Sequence, residues 1–309
     1  MEPWEHLVQQ GIWGSLASSS RRAYEAAFQK YLEFHHTTGL SSPLPPTEAS
    51  VLRYLAHLQL AGLAPKTLRV QLAGLSFFCK VNNWWDPGHS FRIRRAVDGW
   101  GRLAPRRVDS RRPISLHMLR RFWKILEDVC STPFEAALFR AAFALAFYGA
   151  FRSSELLPAS KDDRQGSALA RHDIQVSGSQ LVIRLRHSKT DQRGKGSTII
   201  LPSAPPGDPC PVQSVAYYLM VRPSLPGPLL LHTNGQCLSR YQFMAVLRTC
   251  IGLLNMPPEQ FGIHSFRIGA ATHAFEERRS SSEIMSVGRW RSTAFKAYVR
   301  PGLAPGLNA

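Results

Sequence analysis

Four short segments carry residues that could together perform phosphoryl transfer, and the first two lie in the middle of the chain. The segment GAFRSSELL places Arg152 directly after an apolar stretch, with Glu155 three residues later. The segment RHSKTDQRGKG places Lys189 in a polar, glycine-containing turn. A buried arginine needs an anionic partner, so the simplest alternative for Arg152 is a structural ion pair with Glu155. The alternative for Lys189 is an ordinary exposed lysine.

The other two segments, GIHSFRIGAATHA and GRWRSTAFKAYVR, follow near the end of the sequence. His264 and Arg267 are spaced i, i+3, which places them on one face of a helix. Tyr298 is a candidate nucleophile, although a core aromatic is the simpler reading of that residue alone. Taken together, two arginines, a lysine and a histidine are able to neutralise a pentacoordinate phosphate while a tyrosine attacks it.

Several other kinds of catalytic site are absent from the sequence. It has no Walker P-loop, GxGxxG, HExxH or acidic cluster for two metal ions, so we expect neither a metal nor a cofactor. The five cysteines are scattered and none forms a CxxC pair, which indicates reduced thiols in an intracellular protein. The apolar run Ala141–Phe151 is too short to cross a membrane.

Net charge is the strongest compositional signal. The formal charge is +17, and the basic residues comprise 30 arginines and 8 lysines. Arginine binds phosphate through two parallel hydrogen bonds, so this composition favours double-stranded DNA or another polyanion over a merely soluble surface. The segment APRRVDSRRP at 104–113 has proline near both ends and no apolar period, which predicts a basic linker.

Ten arginines and two aspartates between residues 92 and 121 contribute +8 to the net charge. A basic linker between two domains is suited to a clamp around a duplex, whereas the alternatives are a self-repelling spacer or a nuclear-import signal. We favour the clamp. The predicted DNA-binding residues are Arg94, Arg95, Arg106, Arg107, Arg111 and Arg112.

The periodicity of apolar residues predicts a mainly α-helical protein with a small sheet. Residues 16–103 read as four helices of a bundle, the first capped by serines at 18–20. Residues 114–309 form a second, mostly helical domain. Its predicted helices are 114–128, 133–148, 211–221, 239–254, 265–277, 281–287 and 293–299. Strands at 172–178, 181–189 and 197–202 are expected to form a three-stranded antiparallel sheet.

The sequence resembles the tyrosine recombinases, or phage-integrase family, over nearly its whole length. Arg152, Lys189, His264, Arg267 and Tyr298 match the family's catalytic arginine, hairpin lysine, His-x-x-Arg pair and nucleophilic tyrosine. The segments SKTDQ, HSFRIGAATHA and GRW followed by AF and Tyr look most like recombinases of DIRS-like and Ngaro-like retrotransposons and of Cryptons. The family carries a further His or Trp, usually nine residues before the tyrosine. We assign that role to Trp290, eight residues before Tyr298, although Arg289 lies at nine.

The resemblance implies a helical, SAM-like core-binding domain at 1–103, a linker at 104–113 and a catalytic domain at 114–309. It implies site-specific strand exchange through a 3′-phosphotyrosyl intermediate. Glu155 is expected to contact and support the catalytic residues without being one of them. The expected assembly is a tetramer on two DNA sites, without metal or ATP. The expected location is the nucleus if the source is eukaryotic, and otherwise the cytoplasm. The rivals are a domesticated DNA-binding protein without activity and a type IB topoisomerase-like relaxing enzyme.

Overall fold

Two separate hydrophobic cores divide the chain in the computed structural model. Residues 2–39, 44–105, 109–164, 166–186 and 196–302 are described, and they group into the units Met1–Val108 and Asp109–Ala309. The division lies inside the segment predicted to be a linker. No helix in the described part of the chain is both long and apolar enough to cross a membrane.

The first unit is entirely helical in its described part. Its helices are α1 (Pro3–Gly14), α2 (Ser18–Thr38), α3 (Glu48–Leu60), α4 (Pro65–Val81) and α5 (Phe91–Leu103). Helix α3 begins at a capping box formed by Thr47 and Ser50, and Pro65 occupies the first turn of α4, where its missing N–H costs nothing. The core is built around the buried rings of Tyr31 and Tyr54.

Two details of this unit differ from the sequence prediction. Helix α1 was missed because none of its residues is buried, so no apolar period marks it, although Pro3 and a Glu2–Glu5 capping box signal its start. The serine cap predicted for α2 is wrong. The helix includes Ser18, and Ala17 at the capping position has no side chain able to bond the helix amides.

The second unit packs helices around a buried central helix and one small sheet. Its elements are α6 (Leu116–Val129), α7 (Pro133–Tyr148), α8 (Ser153–Leu156), β1 (Ile174–Ser177), β2 (Gln180–Leu185), β3 (Ser197–Pro202), α9 (Pro211–Val221), α10 (Arg240–Leu253), α11 (Ile263–Glu276) and α12 (Ser281–Gly288). Helix α7 is apolar almost all round and is buried along most of its length, as expected for the central element of a core.

The sheet is antiparallel with strand order β1-β2-β3, which confirms the predicted three-stranded sheet. Leu181 pairs with Leu201 and Ile183 with Ile199. Alternate residues of β2 are buried, so the period-two pattern of its sequence decides which face meets the core. The turn predicted to carry Lys189 lies outside the described residues.

The helix predicted at 293–299 is the clearest local error. Residues Thr293–Tyr298 form a short 3₁₀ helix instead. Pro301 follows closely, and a residue before proline is disfavoured in the α conformation, so the segment does not extend into a longer α-helix. Helix α8 was also not predicted, since four residues are too few to show a period.

Candidate active site

Arg267 is buried in the second unit although it carries a charge. It lies on α11, three residues after His264, and is only 1% exposed. Its Nη1 donates to the carbonyl oxygen of Ala150, and its Nη2 donates to the carbonyl oxygen of Gly288 at 2.5 Å. This single guanidinium therefore ties the ends of α7 and α12 to α11.

Tyr298 packs among three of the residues with which the sequence analysis grouped it. The centre of its ring is 5.0 Å from that of His264 and 5.0 Å from that of Trp290. The Cζ atom of Arg267 lies 5.5 Å from the Tyr298 ring and 4.4 Å from the Trp290 ring. The fold thus gathers a potential nucleophile, an imidazole, an indole and a guanidinium that are separated in sequence.

Arg267 contacts carbonyl groups and aromatic rings, and none of these partners neutralises the positive charge of its guanidinium. Within the described residues no carboxylate lies at ion-pair distance from it, and its Nε has no hydrogen-bond acceptor. A buried cation without an anionic partner is electrostatically unfavourable, and groups of this kind are common at sites that bind anions. The arrangement is therefore suited to receive an anion such as a phosphate.

Glu155 connects two further arginines next to this group. Its Oε1 is 2.7 Å from Nη1 of Arg152, and its Oε2 is 2.8 Å from Nη2 of Arg289. Glu155 also accepts from the backbone N–H of Arg152 at 2.9 Å, which caps α8. The ion pair considered as the alternative role of Arg152 is thus present. Arg152 and Arg289 therefore share one carboxylate, while Arg267 beside them has none at ion-pair distance among the described residues.

Arg289 is a site residue whose support role the sequence analysis missed. Its backbone is left-handed, with φ of 56°, and its side chain donates to the carbonyl oxygen of Gly149 at 2.8 Å and stacks on Phe151. These contacts and Glu155 occupy its two Nη atoms, whereas its Nε has no acceptor among the described residues. The only signal in the sequence was its spacing of nine residues before Tyr298.

Trp290 is placed differently from its neighbour Arg289. Its indole Nε1 is buried and has no acceptor among the described residues. The ring lies directly against Gly288, where an added Cβ would come within 2.1 Å of it. The Trp290 ring lies next to Tyr298, and its N–H is available as a hydrogen-bond donor.

Burial and neighbouring charges lower the pKa values of His264, Arg267 and Arg289. Burial, followed by the nearby Arg111 and Arg267, lowers the pKa of His264 to about 4, so its imidazole is neutral at pH 7. Burial, followed by Arg152 and Arg289, lowers the pKa of Arg267 to about 10, which leaves it charged at pH 7. The shift of Arg267 also shows that Arg152 and Arg289 are close enough to repel it.

The remaining predicted residues are distributed over both units. Arg94 and Arg95 are exposed on α5 of the first unit, where Arg95 lies 5.3 Å from the centre of the exposed Phe91 ring. Arg111 pairs with Asp109 at 2.8 Å, and Arg112 donates its backbone N–H to the Gln260 carbonyl. Lys189, Arg106 and Arg107 lie outside the described residues. Across the described ranges, no three His, Cys, Asp or Glu side chains cluster as metal ligands would.

Comparison with known proteins gives one sequence relative and several structural ones. No protein-family model matches the chain. An integrase/recombinase xerD homologue from Selenomonas ruminantium is 29% identical over 159 residues. That alignment covers 50% of this chain and 44% of the relative, so the chain spans less than half of the relative's length.

Solved structures match over almost the whole chain at low sequence identity. The XerH site-specific recombinase bound to difH substrate has a TM-score of 0.60 at 15% identity, covering 91% of this chain and 75% of its own. The Tn1549 transposon integrase in complex with circular intermediate DNA has 0.61 at 13%, covering 96% and 94%. A lambda integrase dimer bound to a core site has 0.58 at 16%, covering 96% and 75%.

The chain therefore has the fold of the tyrosine recombinases, mostly helical with a small three-stranded antiparallel sheet. The xerD homologue is thus similar in sequence to half of this chain, and the solved recombinases and integrases share its fold. The more specific resemblance to DIRS-like, Ngaro-like or Crypton recombinases is not addressed by these relatives.

Proposed function

We propose that this protein cuts and rejoins DNA, with Tyr298 as the nucleophile and a 3′-phosphotyrosyl intermediate. The observation that carries the proposal is the packing of Tyr298 against His264 and Trp290, with the ring of Tyr298 5.5 Å from the Cζ atom of Arg267. A phenol with a pKa near 10 is a weak nucleophile at neutral pH. Adjacent positive charge stabilises the phenolate as it forms and makes attack on phosphorus possible.

The charges of the site match those of the reaction. Arg152, Arg267 and Arg289 contribute three positive charges, and Glu155 contributes one negative charge, which leaves an excess of about two. A pentacoordinate phosphate formed from a diester carries about two negative charges at its non-bridging oxygens. Preorganised cations in a water-poor site stabilise such a transition state strongly.

Each residue has a defined part in the proposed step. The Tyr298 hydroxyl gives up its proton to water, and its oxygen forms a bond to phosphorus as the bond from phosphorus to the 5′ oxygen breaks. Arg152, Arg267, Trp290 and neutral His264 hold the non-bridging oxygens. Lys189 supplies the proton that the departing 5′ oxygen requires. The reverse reaction, by a 5′ hydroxyl of another strand, restores the phosphodiester and frees Tyr298.

We further propose that four protomers carry out site-specific strand exchange on two DNA sites. We also propose that the protein comes from a mobile element of the DIRS-like, Ngaro-like or Crypton kind. The support for these proposals is the net charge of +17 and the resemblance of the HSFRIGAATHA and GRW segments to those recombinases. Structural neighbours in complexes with DNA also support DNA as the partner. If the source is eukaryotic, the nucleus is the proposed location.

A covalent trapping experiment tests the proposed chemistry. The protein is incubated in EDTA with nicked suicide duplexes derived from the DNA that flanks its gene, and adducts that resist SDS are counted. Wild type is expected to form an adduct. Tyr298→Phe is expected to fold and bind DNA but form none, since within the described residues the Tyr298 hydroxyl makes no hydrogen bond whose loss would destabilise the fold.

Two outcomes separate the rival functions. If wild type binds duplex DNA but forms no adduct on any of these substrates, the non-enzymatic DNA-binding function is correct. If adducts form and supercoiled DNA is relaxed but two sites never exchange strands, the topoisomerase-like function is correct. Products that join two different duplexes support recombination.

A further inference from the structure

The first residues of the second unit contact the segment that follows Tyr298. Nη2 of Arg300 lies 2.6 Å from Oδ2 of Asp109. Nη1 of Arg300 donates to the backbone carbonyl oxygens of Asp109, at 3.1 Å, and of Arg111. The Arg300 side chain is 13% exposed and the Asp109 side chain 40%, so the pair is only partly shielded from water. One arginine thus joins the beginning and the end of this unit's described residues.

Thr272 fixes the same segment to α11. Its Oγ1 donates to the Tyr298 carbonyl oxygen at 3.3 Å and accepts from the Arg300 backbone N–H at 3.1 Å. Thr272 is 1% exposed. The backbone is therefore held on both sides of Val299, immediately after the tyrosine.

The segment at 109–114 that receives Arg300 is itself held against the α11 region. Ile114 donates its backbone N–H to the Ser265 carbonyl at 3.0 Å. A Cβ at Gly269 would lie 1.9 Å from the Ile114 carbonyl oxygen, so only glycine allows this approach. The backbone that follows Asp109 is therefore anchored, and the Asp109 carboxylate is held at 2.8 Å by Arg111.

The charges favour the contact. Arg111 and then Arg300 hold the pKa of Asp109 well below its usual range, so the carboxylate is ionised throughout the neutral range. Arg300 lies two residues after Tyr298, and the intervening Val299 has an extended backbone. Two extended residues span about 7 Å, so a restraint on Arg300 limits the positions open to the Tyr298 backbone.

We propose that Asp109 and Arg300 are positioning residues that hold Tyr298 in the geometry for attack on phosphorus. The inference rests on the proposed function. Nucleophilic attack needs the reacting atoms about 3–3.5 Å apart and aligned, and small displacements cost large factors in rate. Neither residue forms an ion pair with a candidate catalytic side chain, although the charges of both act on the pKa of His264. The proposed positioning acts through the backbone that carries the nucleophile.

The test uses the full-length protein and the variants Asp109→Asn, Arg300→Ala and Arg300→Lys. Arg279→Ala is the matched control, because Arg279 also pairs with a carboxylate, Glu277, but on an exposed surface away from Tyr298. Three quantities are measured: DNA affinity, the rate of adduct formation on the nicked duplex, and hydrogen exchange at the Arg300 amide in the protein without DNA.

Asp109→Asn and Arg300→Ala are expected to slow adduct formation by about 10-fold or more, with DNA affinity changed less than about threefold. The Arg300 amide should exchange faster in both, while amides of α7 keep wild-type protection. Arg300→Lys should recover part of the rate, and Arg279→Ala should match wild type.

The results distinguish failure of the proposed function from failure of the positioning role. If wild type forms no adduct, the proposed function fails and this inference fails with it. If wild type is active and Asp109→Asn and Arg300→Ala react at the wild-type rate, the positioning role is wrong and the proposed function stands. If exchange rises throughout the unit, including α7, the pair only stabilises the fold and the positioning role is again wrong.

Discussion

Arg267 and Trp290 form a stacked pair in which the Arg267 Cζ atom lies 4.4 Å from the centre of the indole ring. Arg267 is buried and Trp290 partly buried, and the Nε atom of Arg267 and the Nε1 atom of Trp290 both lack an acceptor among the described residues. Two unpartnered donors near Tyr298 are suited to bind an anion.

Substitution of Trp290 by Phe tests whether the indole N–H is used. Trp290→Phe keeps an aromatic ring over Arg267 but removes the donor, so adduct formation should fall by about 100-fold while DNA affinity stays near wild type. The control is Trp85→Phe, an exposed position in the first unit. Adduct formation by Trp290→Phe at the wild-type rate would show that the N–H does not contact the transition state.

Arg152→Ala and Arg267→Ala should both lower adduct formation by about 100-fold or more, but they should differ in stability. Arg152→Ala removes one charged hydrogen bond from the buried Glu155, which stays paired with Arg289, so the loss of unfolding free energy should be about 1.5 kcal/mol. Arg267→Ala leaves two buried carbonyl groups without donors, at a cost of about 3 kcal/mol. Chemical denaturation measures both values.

If Arg152→Ala and Arg267→Ala instead lost DNA affinity and adduct formation by equal factors, the two arginines would be ground-state anchors and not transition-state groups. Arg152→Ala is the cleaner probe, because its fold should remain intact.

Gly288→Ala should damage the site through packing alone. The added methyl would lie within 2.1 Å of the Trp290 ring and would force the indole away from Arg267 and Tyr298. Adduct formation should fall at least as far as in Trp290→Phe. Gly252→Ala on α10, where an added Cβ meets nothing within 4 Å, is the control and should be neutral or stabilising by up to about 1 kcal/mol. Equal activity of the two variants would contradict the placement of Trp290.

His264 should contribute a pH-dependent part of stability. Its pKa is lowered to about 4 in the folded protein from an ordinary value of 6.5, so the unfolded chain binds the proton more readily. The contribution is complete above pH 6.5 and is lost as the pH falls toward 4. His264→Gln should therefore lose less unfolding free energy than wild type between pH 7 and pH 5. Parallel curves for the two proteins would show that the imidazole is not perturbed.

The exposed arginines of α5 should contribute to the salt dependence of DNA binding. If Arg94 and Arg95 each neutralise one phosphate, replacing both by Gln should reduce the slope of log affinity against log salt by about 2. Arg279→Gln removes a charge elsewhere and serves as the control. An unchanged slope in the double variant would remove these two residues from the DNA-binding surface.

Much of the architecture follows from local sequence. The helices at Pro133–Tyr148 and Pro211–Val221 and the strand Ser197–Pro202 have the boundaries that apolar periodicity and proline positions predicted. The spacing of His264 and Arg267 placed them on one helical face, and the ordered set of segments indicated phosphoryl transfer. These features were readable because each depends on residues within a few positions of one another.

The tertiary structure decided which charged side chains contact one another. Arg267 donates to a carbonyl 117 residues away, and Arg289 reaches Glu155 across 134 residues. No local pattern shows that Glu155 serves two arginines or that Asp109 meets Arg300, because such contacts depend on which helix ends the core brings together. Phe295, within the 3₁₀ segment Thr293–Tyr298, likewise packs in a small cluster with Ala274 of α11 and Ile284 of α12. Residue types and spacing thus determined the chemistry available to the chain, and packing over long sequence separations determined where that chemistry is assembled.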